Sequence, residues 1–499
     1  MDNKHFMGLN YLVERAMELN ILQSIFFLVA LISIQFILFY AISNAKEVNR
    51  YLNKIVLNRK FIPVFLVMLW ILMQIMLIPL NAGGYSGGMD MITQKMFEQG
   101  EIKGFDTFIK NSPDAYAMVR YPVAGVFYIG LWLLTQHAIS VKLFLAVLNL
   151  GSAAMFYYLI RKITRSTPMS FICAALFIII PITFYASHEW TYRMSHNQAG
   201  LFFLMVSLLM IVRFCESFKN RYLFLALLFH LLATLSYEVF LGFIVVYPIL
   251  VKYRKNYNLG TNISLSDTYG LRLKLILFVF SDILIVFMYK LFGQAIYKNY
   301  FGHNYVSYQM DLVTWLTVWK DYMVGVGEKW GGVGVLHFIS NFPVYFIRLH
   351  VNVFLNVFSA PIYIVMAYLI IPAVMNVFLL FYYRSIDNDK DLKNKDILRL
   401  FFLGILFFSA AIITPLVTIG QIWERYLYCG YFGLIIVYVV IIVKINNLSL
   451  FSSKFRMCLT NLTLLFILNL FELLNISRVF QWKYNENWSM AIGLEQLLK

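Results

Sequence analysis

The fold class follows from one stretch of sequence, FIPVFLVMLWILMQIMLIPLNAGGYSGGMD, which runs from Phe61 to Asp90. Its first 20 residues, Phe61 to Leu80, contain no charged side chain. A helix needs about 20 apolar residues to cross the hydrocarbon core of a bilayer. The glycines that follow allow the backbone to turn tightly after such a helix. The stretch therefore predicts a membrane-spanning helix that leads into a loop bearing Asp90.

The composition of the whole chain also indicates a membrane protein. Of the 499 residues, 61% are hydrophobic and 13% are charged, whereas a soluble domain carries about 25% charged residues. So few charges cannot cover a soluble surface of this size. We therefore predict an all-α, polytopic transmembrane helical bundle of about 11–13 spans, with juxtamembrane helices and loops at its outer face and membrane lipids around it.

The net charge of +16 does not indicate a nucleic-acid partner, because the basic residues lie in short loops between apolar runs. Such loops are typical of the cytoplasmic side of a membrane protein. The predicted cytoplasmic loops are 46–60, 161–165, 213–221, 252–274, 384–399 and 444–456, and the predicted outer segments are 81–118, 187–197, 290–341, 420–424 and the tail from 475.

Two stretches do not fit a simple alternation of inner and outer loops. Between Arg120 and Arg161 lie two apolar runs, and the first, 123–134, is short for a span. It is either a re-entrant segment or the tilted half of a hairpin. The apolar stretch 222–251 contains Glu238 in its middle, where a charge is costly unless it faces water or a partner. We predict two short helices that turn at Glu238, near the outer face.

A short helix is predicted after the glycines of the first outer loop. Four apolar residues between Met89 and Phe97 recur on one helical face, and Gly100 is a suitable terminator. Asp90 stands at the start of this helix. A carboxylate there is either a helix cap or a general base held at the membrane surface.

Neither a disulfide framework nor a metal centre is predicted. The four cysteines lie in or beside apolar runs and have no paired spacing. His188 and His196 lack a recognised ligand spacing, so a divalent cation is without support and no cofactor is predicted. We interpret His230, which lies within an apolar run, as a core histidine whose ring nitrogens are satisfied.

Several features follow one another in a fixed order across 61–251. After the apolar span comes a D-x(7)-E-x-G pattern that begins at Asp90, and then Tyr121-Pro122 opens an apolar segment. An outer turn with polar and aromatic side chains and the predicted hairpin at Glu238 follow. This order resembles the GT-C superfamily of polytopic glycosyltransferases, whose members carry an Asp or Glu in the first outer loop.

The resemblance implies transfer of a sugar from a polyprenyl-phosphate-linked donor to a cell-envelope glycan or lipid acceptor at the outer face. Asp90 would take the proton from the acceptor hydroxyl as that oxygen attacks the anomeric carbon with inversion. The leaving phosphate needs cationic help, which arginine supplies through paired hydrogen bonds. The residues expected at the donor are Arg425, Arg193, Arg120 and Tyr121, with Arg348 as a further candidate. Arg425 also fits an interfacial anchor paired with Glu424.

The residues expected to bind substrate are polar or aromatic and lie in the predicted outer segments. Aromatic rings can stack on a sugar, and polar groups can bind its hydroxyls. For the outer turn, an ordinary hydrated loop explains the composition equally well. The candidates are His188, Glu189, Glu238, Glu98 and Trp330.

Four regions are predicted from this arrangement. The size of the chain is similar to that of bacterial surface-polysaccharide and serotype-modifying glucosyltransferases, which implies a multi-pass protein of the bacterial cytoplasmic (inner) membrane. The regions are an N-terminal extra span with a basic cytoplasmic loop (1–60), a GT-C-like catalytic module with outer loop 81–118 (61–292), a large outer loop (293–345), and a C-terminal transmembrane region with an outer tail (346–499).

Two alternatives belong to other functional classes. An O-antigen or surface polysaccharide polymerase resembles this chain in length and span number, but such proteins use arginine-rich outer loops. No arginine occurs here between Arg272 and Arg348. A polysaccharide transporter commonly shows internal repeats and interrupted helices near mid-bilayer. We find no convincing repeat, and we expect the polar residues to cluster at one face.

Overall fold

The computed structural model describes residues 21–48, 50, 61–82, 87–111, 121–179, 195–217, 219–257, 276–285, 287–288, 333–334, 373–381, 394–418, 421–422, 424–446, 452 and 455–469. Within these residues the elements are helices, apart from two paired strands of two residues each. The prediction of an all-α chain is confirmed for this part of the sequence.

The helices vary from seven residues to 27, and one of them is a 3-10 helix. They are α1 (Ile21–Asn44), α2 (Phe61–Ala82), α3 (Gly87–Glu98), α4 (Phe105–Asn111), α5 (Pro122–Thr135), α6 (Ala138–Thr164), α7 (Thr167–Ile179), α8 (Ser195–Ser217), α9 (Asn220–Ser236), the 3-10 helix (Glu238–Val245), α10 (Val246–Tyr257), α11 (Ile276–Ile285), α12 (373–381), α13 (Asn394–Thr418), α14 (Glu424–Asn446) and α15 (Phe455–Asn469). Strands β1 (Val333–Gly334) and β2 (Gln421–Ile422) pair antiparallel.

Three of the described helices are long and apolar enough to cross a membrane, judged by length and composition. Their apolar segments are Leu143–Thr164 in α6, Asn197–Ser217 in α8 and Ile397–Thr414 in α13. Helix α8 lies deepest, since 78% of its apolar segment is buried, compared with 44% for α13. Shorter apolar helices of 10–17 described residues surround these three.

The main hydrophobic cluster joins α1 and α2 to the helices from α6 onward. A close contact between helices lies where α13 and α14 run side by side. A Cβ atom built on Gly433 would lie 2.4 Å from the Gly404 carbonyl oxygen. The two backbones therefore touch, as they do where small residues mediate helix packing in membranes.

A second hydrophobic cluster, which we call the cap cluster, joins α3 and α4 to α5 and the start of α6. Phe97 stacks on Trp132 with ring centroids 5.7 Å apart. Helix α5 ends at Gln136, which has a left-handed backbone (φ 56°), and α6 begins two residues later. Thus α5 is a short helix that turns directly into α6, and both alternatives, a re-entrant segment and the tilted half of a hairpin, stay predictions. The members of the cap cluster are Phe97, Ile102, Phe108, Tyr128, Ile129, Trp132 and Val141.

The chain reverses direction at Tyr237, as the sequence predicted for this stretch. Tyr237 has extended backbone (φ −160°, ψ 122°) and separates α9 from the 3-10 helix that starts at Glu238. Further along, the Tyr247 ring lies 4.9 Å from the His230 ring of α9. A continuous helix would separate these residues by about 25 Å, so the predicted turn is confirmed.

The two ends of the bundle differ in charge. Lys162, near the end of α6, bonds Glu216, near the end of α8, with 2.9 Å between Nζ and Oε2. These helix ends share one side with further basic residues, and we call this side the basic end. At the opposite side, the Thr414 hydroxyl donates to the Val239 carbonyl over 3.3 Å, which joins α13 to the 3-10 helix. The basic residues of the first side are Arg161, Lys162, Arg165, Arg213, Lys219 and Arg221.

Candidate functional site

Asp90 lies in the first turn of α3, and Glu98 ends the same helix. The predicted helix and its terminator are confirmed, since Gly100 follows with φ +72°. The interpretation of Asp90 as a helix cap is wrong, because α3 begins at Gly87 and Asp90 is its fourth residue. Glu98 is exposed, and its Oε1 accepts a hydrogen bond from Gln94 Nε2 over 3.0 Å.

Helix α3 is held in place by the residues that follow Asp90. One turn later, Thr93 is fully buried, and its hydroxyl has no hydrogen-bond partner among the described residues. Two turns later, Phe97 stacks on Trp132 of α5. Asp90 is therefore carried by a short helix that packs into the cap cluster through Phe97.

Tyr121 stands at the start of α5 and connects this helix to the main bundle. Its side chain is 9% exposed, and its ring meets Tyr237 edge-on with centroids 5.4 Å apart. Tyr237 directly precedes Glu238 in the chain. Two residues chosen from the sequence, Tyr121 and Glu238, are thus brought to the same end of the bundle.

Glu238 is half-buried and is the first residue of the 3-10 helix. This helix packs tightly on α13. A Cβ atom built on Gly242 would lie 2.0 Å from the Ala410 carbonyl oxygen, so no side chain fits between the two backbones. One turn further along α13, Thr414 donates its hydrogen bond to Val239. The position of Glu238 is therefore fixed against the last turns of α13.

The strand pair lies where α13 gives way to α14. Val333 of β1 pairs with Ile422 of β2, and Gly334 pairs with Gln421. Since β2 follows α13 and precedes α14, the pair ties the predicted large outer loop to this same end of the bundle. Arg425 is the second residue of α14. The prediction that a late helix begins beside Arg425 is confirmed.

The remaining predicted site residues lie outside the described residues. For these the sequence predictions stay predictions. They are Arg120, His188, Glu189, Arg193, Trp330 and Arg348.

Sequence reasoning missed a polar pair in the interior of the bundle. Asp282 of α11 contacts His230 of α9, and both side chains are fully buried. The signal was present, because Asp282 interrupts the apolar run ILFVFSDILIVFM, and an ionisable residue in such a run is a functional hypothesis by default. The interpretation of His230 as a core histidine is confirmed, since it is fully buried and its Nε2 lies 3.0 Å from the Phe240 carbonyl oxygen, but Nδ1 has no hydrogen-bond partner among the described residues.

Buried polar residues lie in the interior of the described helices, and the expectation that polar residues cluster at one membrane face stays a prediction. Besides the pair at Asp282, an amide cluster lies inside the bundle. Gln35 Nε2 donates to Asn469 Oδ1 over 2.8 Å, and Asn469 Nδ2 donates back to Gln35 Oε1 over 2.9 Å. Such amides join helices in membranes because hydrocarbon offers them no other partner.

The described residues contain no group of three or more His, Cys, Asp and Glu side chains that could hold a metal ion. The described residues at this end of the bundle include a half-buried carboxylate, a phenol and a helix start bearing arginine. No protein-family model, curated protein or solved structure matches this chain.

Proposed function

We propose that this protein is a multi-pass integral membrane protein of a bacterial cytoplasmic membrane. What supports this is the apolar surface of the described helices. On α11, Phe278 and Asp282 are buried, while the remaining face exposes large apolar side chains. A continuous surface of this kind is stable only against lipid or another apolar partner. The exposed residues on α11 are Ile276, Leu277, Phe280, Ile283, Leu284 and Ile285.

We propose further that it is an inverting glycosyltransferase that uses a polyprenyl-phosphate-linked sugar and modifies a cell-envelope glycan or lipid. The acceptor oxygen forms a bond to the anomeric carbon while the bond from that carbon to the phosphate oxygen breaks. Asp90 takes the proton from the acceptor hydroxyl. Arg425, with Arg193 and Arg120, neutralises the leaving phosphate.

One observation carries this proposal more than any other. The elements that bear Tyr121, Glu238 and Arg425 meet at the end of the bundle opposite the basic end, although these residues are far apart in sequence. Positive charge faces the cytoplasm in membrane proteins, so the opposite end faces outward. A lipid-linked sugar is presented at that side of the bilayer.

In the proposed site, the half-buried Glu238 accepts hydrogen bonds from sugar hydroxyls. Tyr121 supplies a ring edge beside it. Glu98, His188, Glu189 and Trp330 complete the substrate contacts. Carboxylates and aromatic rings are the usual means of orienting a sugar, because they bind its hydroxyls and its apolar face.

The test is mass analysis of the envelope glycan in a deletion strain that is complemented with variants. We expect Asp90→Asn to abolish addition of one side-branch sugar while the protein still inserts. Asp106→Asn is the matched control, since Asp106 is an exposed carboxylate in the first turn of the neighbouring α4.

Three other results would change the assignment, two from this glycan analysis and one from an uptake assay. Full transfer by the Asp90→Asn variant would overturn the catalytic assignment. Loss of all long chains in the deletion strain would instead indicate a polymerase. Uptake of glycan by proteoliposomes without any transfer product would indicate a transporter.

A further inference from the structure

A carboxylate and an imidazole meet inside the bundle, away from the Asp90 helix. Asp282 Oδ2 is in direct contact with His230 Nδ1, and neither side chain is exposed. None of the three facing atoms, Asp282 Oδ1, Asp282 Oδ2 and His230 Nδ1, makes a hydrogen bond among the described residues. An ionisable pair in an apolar interior is costly to bury, and such a pair is by default a functional hypothesis.

The hydrogen positions of this pair follow from its surroundings. His230 Nε2 lies 3.0 Å from the Phe240 carbonyl oxygen. A carbonyl only accepts, so Nε2 carries a hydrogen. Nδ1 then faces Asp282 Oδ2, with which it is in direct contact. Asp282 thereby holds the ring in the one orientation in which Nε2 donates to Phe240, as carboxylates do beside histidines in metal sites.

Phe240 belongs to the 3-10 helix that begins at Glu238. This helix has 8 residues, whereas 3-10 helices rarely exceed about four. The bond from His230 occupies the Phe240 carbonyl, which a regular α-helix would use for its own ladder. The Phe240 ring also fills the space above Gly200, where a Cβ atom would lie 2.2 Å from it.

We propose that Asp282 and His230 are positioning residues, which hold the 3-10 helix and therefore Glu238 in place through the Phe240 carbonyl. Asp282 orients the His230 ring, and the ring donates a hydrogen bond to the Phe240 carbonyl. This bond holds the 3-10 helix, which starts two residues before Phe240. The inference rests on the proposed function in one respect, because it takes Glu238 to be part of the sugar-transfer site.

Two substitutions at His230 separate its two contacts. An asparagine amide reaches the position of Nδ1, so His230→Asn keeps a partner for Asp282 and loses the bond to Phe240. A glutamine amide reaches the position of Nε2, so His230→Gln keeps the bond to Phe240 and loses the contact with Asp282. Each variant replaces the ring by an amide, and therefore they are matched controls for each other.

The measurement is hydrogen–deuterium exchange of the purified full-length protein in lipid nanodiscs, read on peptides covering 238–245. We expect exchange to be about tenfold or more faster in His230→Asn, and within about threefold of the unsubstituted protein in His230→Gln. Ser207→Ala removes a different buried contact, the 2.7 Å bond to the Tyr247 hydroxyl, and we expect it to leave these peptides unchanged. Equal exchange in the two His230 variants would overturn the proposal.

A second pair of variants covers the case in which the His230 variants do not fold. Asp282→Asn can still donate to Nδ1 and keep the ring in place, whereas Asp282→Leu cannot. Faster exchange in the leucine variant alone supports positioning, and equal exchange in both overturns it.

Glycan analysis in the same strains separates this inference from the proposed function. Faster exchange together with normal sugar transfer would leave the positioning role intact and remove Glu238 from the site. Unchanged exchange together with lost transfer would overturn positioning and leave the proposed function standing.

Discussion

The two ends of the bundle are built differently. At the basic end, α6 closes with a left-handed residue at Arg165 and α7 begins directly afterwards, so a short turn joins these two helices. At the opposite end the backbone departs from α-helix, with extended Tyr237, the 3-10 helix and the strand pair at Ile422. Non-helical backbone is tolerated at membrane depth only where it is buried in protein or lines a cavity. This end, which we call the irregular end, meets that condition by burial, since Tyr237, Phe240 and Phe243 are buried in the bundle.

The largest expected effect concerns which side of the membrane each end faces. Lys110 on α4 and Lys219 before α9 are both exposed. A cysteine at position 110 should react with a membrane-impermeant maleimide in intact cells, and one at position 219 should react only after permeabilisation. The reason is that positively charged loops stay in the cytoplasm. Equal labelling of both positions in intact cells would contradict this orientation.

The next effect concerns the tight contact between the 3-10 helix and α13. Gly242→Ala places a Cβ atom against the Ala410 carbonyl oxygen, and we expect it to destabilise the protein by about 1–3 kcal/mol or more. The matched control is Gly130→Ala, since a Cβ atom there meets nothing within 4 Å. Thermal unfolding in detergent, followed by size-exclusion chromatography, measures both. Equal midpoints for the two variants would show that the contact is not rigid.

The smallest effect lies at the basic end. The side chains of Lys162 and Glu216 are 42% and 27% exposed. Ion pairs with this much exposure contribute about 0–1 kcal/mol. We expect Lys162→Met to change the unfolding midpoint by less than Gly242→Ala does. A larger change would mean that the basic end, and not the irregular end, limits stability.

Features that depend on the spacing of apolar residues, or on the free-energy cost of placing a charge in hydrocarbon, could be predicted from the sequence. Apolar spacing between Met89 and Phe97 predicts α3, because helical periodicity places those residues on one face. The charge of Glu238 predicts a chain reversal, because a single helix would leave that charge in hydrocarbon. Both depend on local chemistry, and for this reason they could be predicted without knowledge of the fold.

Other features depend on contacts between segments that are far apart in the sequence. The 14 residues of α5 are equally apolar whether they form a short span or pack into the cap cluster. The strand pair at Val333 involves two residues on each side, which is too short to leave a pattern. The partner of Asp282 is His230, 52 positions earlier in the sequence, and only the folded bundle brings them together.

The amide pair between Gln35 and Asn469 has a consequence for how this protein is made. Their separation of 434 residues takes a ribosome roughly 20–90 s to translate at about 5–20 residues per second. Throughout that interval α1 is already synthesised but α15 is not, and the amide partner made first is Asn376 of α12, whose Nδ2 donates to Gln35 Oε1 over 3.5 Å. The amide cluster is thus completed only once α15 has been made, and a nascent chain interrupted before α15 leaves Gln35 without its bonds to Asn469.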